Sequence, residues 1–260
     1  MVQHSILQRL RQGQFVRLMS VGSFPSPKLV EMIGLLGDVH GIWIDQEHAF
    51  VSHAEMELML MACRASGIDA FARVPPTDYA TVMRPMETGC SGVMVAQIRT
   101  VDEVKRAVDW IRYPPRGVRG LFLSNAECGY GSLSAGQQFA AAAERRWLAI
   151  QIETAEAVAC VDEIAAVDGV DLLFVGPADL SSNLGVPGEV LHERCITALK
   201  RVSAACAAAG KPWGTLSRTA EHAQTCRDLG CRLISFASDV DLIRRGMDAS
   251  RQIFESLWSE

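Results

Sequence analysis

The chain has 260 residues, 49% of them apolar and 21% charged, with a formal net charge of -5; this excludes a disordered chain and offers no basic surface for nucleic acid. No apolar run approaches the roughly 18 residues of a membrane-spanning helix, and the opening "MVQHSILQRLRQGQ" lacks a signal-peptide apolar stretch, so a cytoplasmic protein with no membrane partner is expected. The eight cysteines are scattered with no C-x-x-C pair, which argues against a zinc cluster and for reduced thiols.

In chain order, short apolar runs alternate with helical patterns. Strands are expected at "FVRLMSV" (15–21), "GIWID" (41–45), "DAFARV" (69–74), "GVMVA" (92–96), "WLAIQIE" (147–153), "DLLFVG" (171–176), "KPWGTL" (211–216) and "RLISFA" (232–237). Between them lie amphipathic stretches such as "VDEVKRAVDWIR", "EVLHERCITALKRVSAACAAAG" and "RTAEHAQTCRDLG", with Gly210 and Gly230 placed to stop helices. The rhythm is interrupted at "YPPRGVRGLFLSNAECGYGSLSAGQQ" (113–138), whose prolines and glycines oppose continuous helix and predict a long loop. Strand alternating with helix is the signature of βαβ units. About eight such units in a chain close to the roughly 250 residues of a closed barrel predict one α/β domain over 1–260, a (β/α)8 TIM barrel. No G-x-G-x-x-G or G-x-x-x-x-G-K-[ST] follows a strand, which removes the usual support for a nucleotide-binding doubly wound sheet.

Active sites of such barrels lie at the C-terminal ends of the strands. The second expected strand ends in Asp45, followed by Glu47 and His48; the third ends near Arg73; the fifth ends with Gln151 and Glu153; the sixth runs out through "GPADLSSNLG" with Asp179. Each has an ordinary structural use, as a cap, a strand-end ion pair or a carboxylate at a helix N-terminus. Their joint placement on one rim is what points to function. Two carboxylates among oxygen-bearing neighbours suit a hard divalent ion such as Mg²⁺ or Mn²⁺. An arginine offers a planar fork to a carboxylate or enolate oxygen, and a histidine moves a proton near neutral pH. Together these groups fit chemistry at a carbon next to a carbonyl.

The motifs "IDQEHAF", "YPPRGVRG", "QIET" and "GPADLSSNLG", in this order over almost the whole chain, resemble those of the HpcH/HpaI family of metal-dependent pyruvate aldolases. The resemblance implies a barrel that cleaves or forms 4-hydroxy-2-oxo acids, such as 4-hydroxy-2-oxoheptanedioate or a 2-keto-3-deoxy sugar acid, through a pyruvate enolate on a divalent metal (Mg²⁺, Mn²⁺ or Co²⁺). It implies Glu153 and Asp179 as metal ligands, His48 as the acid/base group and Arg73 beside the enolate oxygen. Asp45 would hold water and the histidine, Gln151 would line the pocket, the backbone at Gly176 and Ala178 would grip the pyruvate carboxylate, and Leu216 would stand beside the aldehyde. Where the family often carries an aspartate that supports the histidine, this chain has Glu87, and where a proline usually follows the fourth strand it has Ala96 and Gln97.

A citryl- or malyl-CoA type of lyase would need a nucleotide-sized binding surface, for which this chain is compact. A catalytically silent barrel kept for binding is opposed by the intact Asp45, His48, Arg73, Glu153 and Asp179. Arg218, two residues past Leu216, is placed either to meet an acidic aldehyde or to stand in solvent. The C-terminal "VDLIRRGMDASRQIFESLW" puts Leu242, Ile243, Met247, Ile253, Phe254 and Leu257 on one apolar helix face. With the family resemblance, that face is expected to pack on a neighbouring subunit in a homo-oligomer, a hexamer built as a trimer of dimers.

Overall fold

A computed structural model describes residues 5–258; the first four and last two residues of the expected domain lie outside these. The chain begins with α1 (Ile6–Arg11), β1 (Val16–Val21), α2 (Pro27–Leu36), β2 (Gly41–Asp45), α3 (His53–Ser66), β3 (Asp69–Val74), α4 (Tyr79–Thr88), β4 (Gly92–Val95) and α5 (Val101–Ile111). It continues through α6 (Ala135–Arg145), β5 (Trp147–Ile152), α7 (Ala155–Ala159), α8 (Val161–Ala166), β6 (Leu172–Val175), α9 (Pro177–Asn183) and α10 (Glu193–Ala208). It closes with β7 (Trp213–Leu216), α11 (Ala220–Asp228), β8 (Leu233–Ser238), α12 (Asp239–Ile253) and α13 (Glu255–Trp258). Strands β1 to β8 pair in sequence order and β8 returns to β1, all parallel, giving a closed eight-stranded barrel ringed by helices.

Side chains of a strand alternate between two faces, and here both faces are buried. Outward residues such as Ile42, Ile44, Ala72, Val93, Ile150 and Val175 pack under the helices in one apolar cluster. Inward residues form a second: Leu18, Trp43, Phe71, Met94, Trp147, Ala149, Leu172, Phe174 and Leu233 fill the barrel, and Ile6, Leu7 and Leu10 of α1 join them as a plug at its N-terminal end. Phe71 and Trp147 meet with ring centroids 4.8 Å apart. This crowding explains Gly92, since a Cβ there would lie within 2.8 Å of three indole carbons of Trp147.

Each expected strand is present, β2 and β3 with the expected bounds and the others with ends shifted by one or two residues; β6 loses Asp171 and Gly176, and β7 starts at Trp213 rather than Lys211. Gly210 and Gly230 do take positive φ, 65° and 86°, after α10 and α11. The long loop is shorter than expected. Ser134 and Gln137 form a capping box that starts α6 at Ala135, so the helix claims the last residues of the 113–138 stretch. At the C-terminus the expected continuous helix is interrupted at Phe254, the C-cap of α12. Leu242 packs against the core, whereas Met247, Ile253, Phe254 and Leu257 are exposed. Among the described residues no helix is long and apolar enough to cross a membrane.

Candidate active site

The inward alternation places the site. In β2 it runs Gly41, Trp43, Asp45; in β3, Asp69, Phe71, Arg73; in β5, Trp147, Ala149, Gln151 and then Glu153 just past the strand. Each series ends in a polar residue over the apolar filling. Asp45 and Arg73 are register partners across β2 and β3, so their ion pair follows from the pairing: Arg73 Nε donates to Asp45 Oδ1 at 3.0 Å and Nη2 to Oδ2 at 2.6 Å. Its guanidinium also lies 4.7 Å over the Trp43 ring and pairs through Nη1 with Glu47 Oε2 at 3.1 Å.

A cavity of about 770 Å³ opens here, and Asp45, His48, Arg73, Gln151, Gly176, Ala178, Asp179 and Leu216 are among its lining. The structure thus brings eight of the ten expected site residues to one cavity wall. Glu153 is fully buried next to that lining, with Oε1 accepting the Gln97 N–H at 2.7 Å and Oε2 the side-chain amide of Gln151, which does line the cavity. Gln97 reaches it from a left-handed backbone, φ 54°. Gly176 leaves room for that carboxylate: a Cβ would sit 2.6 Å from Gln151 Nε2 and closer still to Glu153 Oε2. Burial pushes the Glu153 carboxyl up to about 7; the Gln97 N–H opposes this, and the charges of Glu47 and Asp179 add to it.

Asp45 pairs with Arg73 and accepts the backbone N–H groups of Glu47 at 3.0 Å and His48 at 3.3 Å, so it holds the loop that carries the histidine rather than the imidazole itself. One expectation is corrected: Glu87 is not in the lining around His48. It faces away on α4, where burial raises its pKa and its charged neighbours are Arg119, Glu127 and Arg84. The His48 ring, 60% exposed, instead stands with Nε2 3.7 Å from Glu47 Oε2. Glu47, whose side chain is only 8% exposed, was legible only as one member of a polar cluster; its burial comes from Arg73 on the next strand. Loop residues 119 and 127 also escaped: Arg119 and Arg146 hold Glu127 in a buried ion triad.

The donor set fits a hard divalent cation. Glu47, Glu153 and Asp179 bring like charges together with Arg73 as counter-charge, and Gln151 Oε1 is a buried oxygen without a hydrogen-bond partner among the described residues. No group of three His, Cys, Asp or Glu side chains among the described residues is arranged to hold a metal by itself, so two carboxylates would leave positions for water and substrate, as Mg²⁺-type sites do. A second cavity, about 670 Å³, opens by α1 at the opposite end, lined by Leu7, Leu10, Lys211 and Trp213 among others; it holds no such convergence of carboxylates.

The model of the HpcH/HpaI aldolase/citrate lyase family matches residues 27–246. A 5-keto-4-deoxy-D-glucarate aldolase of Salmonella arizonae is 30% identical over 94% of this chain and 94% of its own. A hydroxypyruvate/pyruvate aldolase of Sagittula stellata is 30% identical over 88% and 89%. The crystal structure of a family protein from Burkholderia cenocepacia superposes with a TM-score of 0.88 at 31% identity, covering 98% of this chain and 99% of that one. Matched along nearly its whole length by aldolases and by the family model, this chain is an aldolase-type lyase and belongs to the HpcH/HpaI aldolase/citrate lyase family.

Proposed function

We propose that the protein catalyses reversible retro-aldol cleavage of a 4-hydroxy-2-oxo acid to pyruvate and an aldehyde. The observation that carries this is the cavity lined by His48, Arg73 and Asp179 at the ends of the inward-facing strand series, with the buried Glu153 carboxyl close enough to feel the charges of Asp179 and Arg73. The substrate's C4 hydroxyl gives its proton to the imidazole of His48. The C3–C4 bond breaks, its electron pair shifts toward the C2 oxygen, and C4 leaves as the aldehyde carbonyl. A proton then returns to C3, completing pyruvate. Arg73, fixed from both sides by Asp45 and Glu47, presents positive charge to the C2 oxygen where negative charge collects. Gln151 and the free N–H groups at the start of α9, including Ala178, orient the substrate's carboxylate. Glu153 and Asp179 would hold the divalent cation (Mg²⁺, Mn²⁺ or Co²⁺), which supplies Lewis-acid stabilisation of that same charge. The lysines Lys28, Lys105 and Lys200 lie in the outer helices α2, α5 and α10, and Lys211 precedes β7 at the far end of the barrel, which disfavours a Schiff-base route.

Pyruvate release from a panel of 4-hydroxy-2-oxo acids, with a malyl-CoA ester as the contrasting class, tests the reading. Oxo-acid cleavage is expected, and His48→Ala should slow it by about 100- to 10,000-fold with bound metal unchanged. Cleavage of the CoA ester alone, or full turnover in His48→Ala, would contradict it.

A further inference from the structure

The cavity mouth carries a second arginine on a loop built to be rigid. Residues 217–219 join β7 to α11. Ser217 N donates to Ser235 O at 2.8 Å, and Ser217 Oγ donates to Thr219 O at 2.9 Å. That leaves Ser217 Oγ to accept from Nδ1 of His222, 3.0 Å away and buried, while Thr219 Oγ1 caps α11 by accepting the His222 N–H at 3.3 Å. Arg218, clamped between these two residues, turns its side chain to the cavity wall, where Nη1 donates to Asp241 Oδ1 at 3.3 Å. Asp241 is itself held: its Oδ2 accepts from Ser238 N at 3.1 Å and Ser238 Oγ at 2.9 Å.

The other charges that line the cavity are engaged, and Arg244, outside that lining, stands with Nη2 3.9 Å from the same Asp241 Oδ1. Asp45 and Glu47 are taken by Arg73. Asp239 Oδ2 accepts the N–H groups of Gly22 and Phe24 at 3.0 and 2.7 Å, and its Oδ1 accepts that of Val240 at 2.8 Å. Asp179 belongs to the proposed metal pair. Of the two arginines that line the cavity, Arg73 has both sides of its fork occupied, whereas Arg218 has Asp241 as its hydrogen-bond partner among the described residues and a side chain 59% exposed. Among the described residues its Nε and Nη2 donors have no hydrogen-bond partner. We propose that Arg218 is the specificity-determining residue for the aldehyde half of the substrate, pairing with a carboxylate on that aldehyde while Asp241 and the Ser217–His222 clamp fix its position. This rests on the aldolase reading above. A planar guanidinium fork matches a carboxylate in a way a neutral hydroxyl does not. Because the contact forms away from the breaking bond, it acts equally on bound substrate and transition state and is read in KM.

The test is aldol addition of pyruvate, by metal-loaded enzyme, to glyoxylate and to glycolaldehyde, two aldehydes of matched size that differ in charge. In Arg218→Ala the glyoxylate-to-glycolaldehyde ratio of kcat/KM should fall about 10- to 100-fold, carried by KM, and Arg218→Lys should recover part of it. An unchanged ratio in Arg218→Ala with turnover intact would overturn the inference alone. No turnover with either aldehyde in the unsubstituted enzyme would overturn both the inference and the aldolase reading on which it rests.

Discussion

At the scale of single residues, the cost of the site is concentrated in Glu153. Its carboxyl is raised from 4.5 to about 7, chiefly by burial. Below about pH 4.5 the carboxyl is protonated whether the chain is folded or not. Between there and pH 7 the unfolded chain has released the proton and the folded one has not, so folding stability falls as pH rises; above pH 7 the full penalty is present. A shift of this size corresponds to about 3 kcal/mol. In chelator, Glu153→Gln should therefore gain melting temperature relative to the unsubstituted protein as pH rises from 5 to 8. A difference that stays flat across that range would show that the ionised carboxylate is not destabilising there. The same residue shows how far sequence could reach: Glu153 was legible as a strand-end carboxylate, but its pairing with Gln97 needed a left-handed backbone that no pattern of residue types announces.

At the scale of elements, the barrel strands were readable because burial on both faces imposes apolar runs, and the helices because Gly and capping residues punctuate them. Asp45, Arg73 and Gln151 were readable as ends of those runs. Glu87 was misplaced because a motif position fixes a residue on α4 without fixing which neighbour it faces, and that neighbour is the 112–134 loop. This loop was read as an irregular segment, and nothing in its sequence spacing revealed its anchor. Arg119 Nη1 donates to Glu127 Oε1 at 3.1 Å, Arg146 Nε donates to the same oxygen at 3.0 Å, and the Arg119 guanidinium lies 4.7 Å over the Tyr113 ring. Removing one partner of a buried ion pair strands the other charge. Glu127→Gln should accordingly cost about 3 to 5 kcal/mol in denaturant unfolding, with protease nicking of the 112–134 loop ahead of the barrel. A loss below 1 kcal/mol, with no change in loop cleavage, would mean the triad does not anchor it.

At the scale of the whole molecule, apolar surface remains that one chain does not cover: Met32, Leu35 and Leu36 on α2, and Met247, Ile253 and Leu257 on α12 and α13. Burying such a surface against copies of the same chain is the common solution. Light scattering should report a homo-oligomer, with a hexamer the expected assembly, and a monomeric mass at assay concentration would contradict that packing. The central claim concerns the other end of the argument, the pair of carboxylates at the rim, and the most direct measurement is pyruvate release from a 4-hydroxy-2-oxo acid by chelated and then metal-reloaded enzyme. Chelation should abolish release, Mg²⁺, Mn²⁺ or Co²⁺ should restore it, and Glu153→Gln and Asp179→Asn should each need far more metal for the same rate. Full release by chelated enzyme, or a pyruvate adduct trapped by borohydride, would contradict a metal held by Glu153 and Asp179.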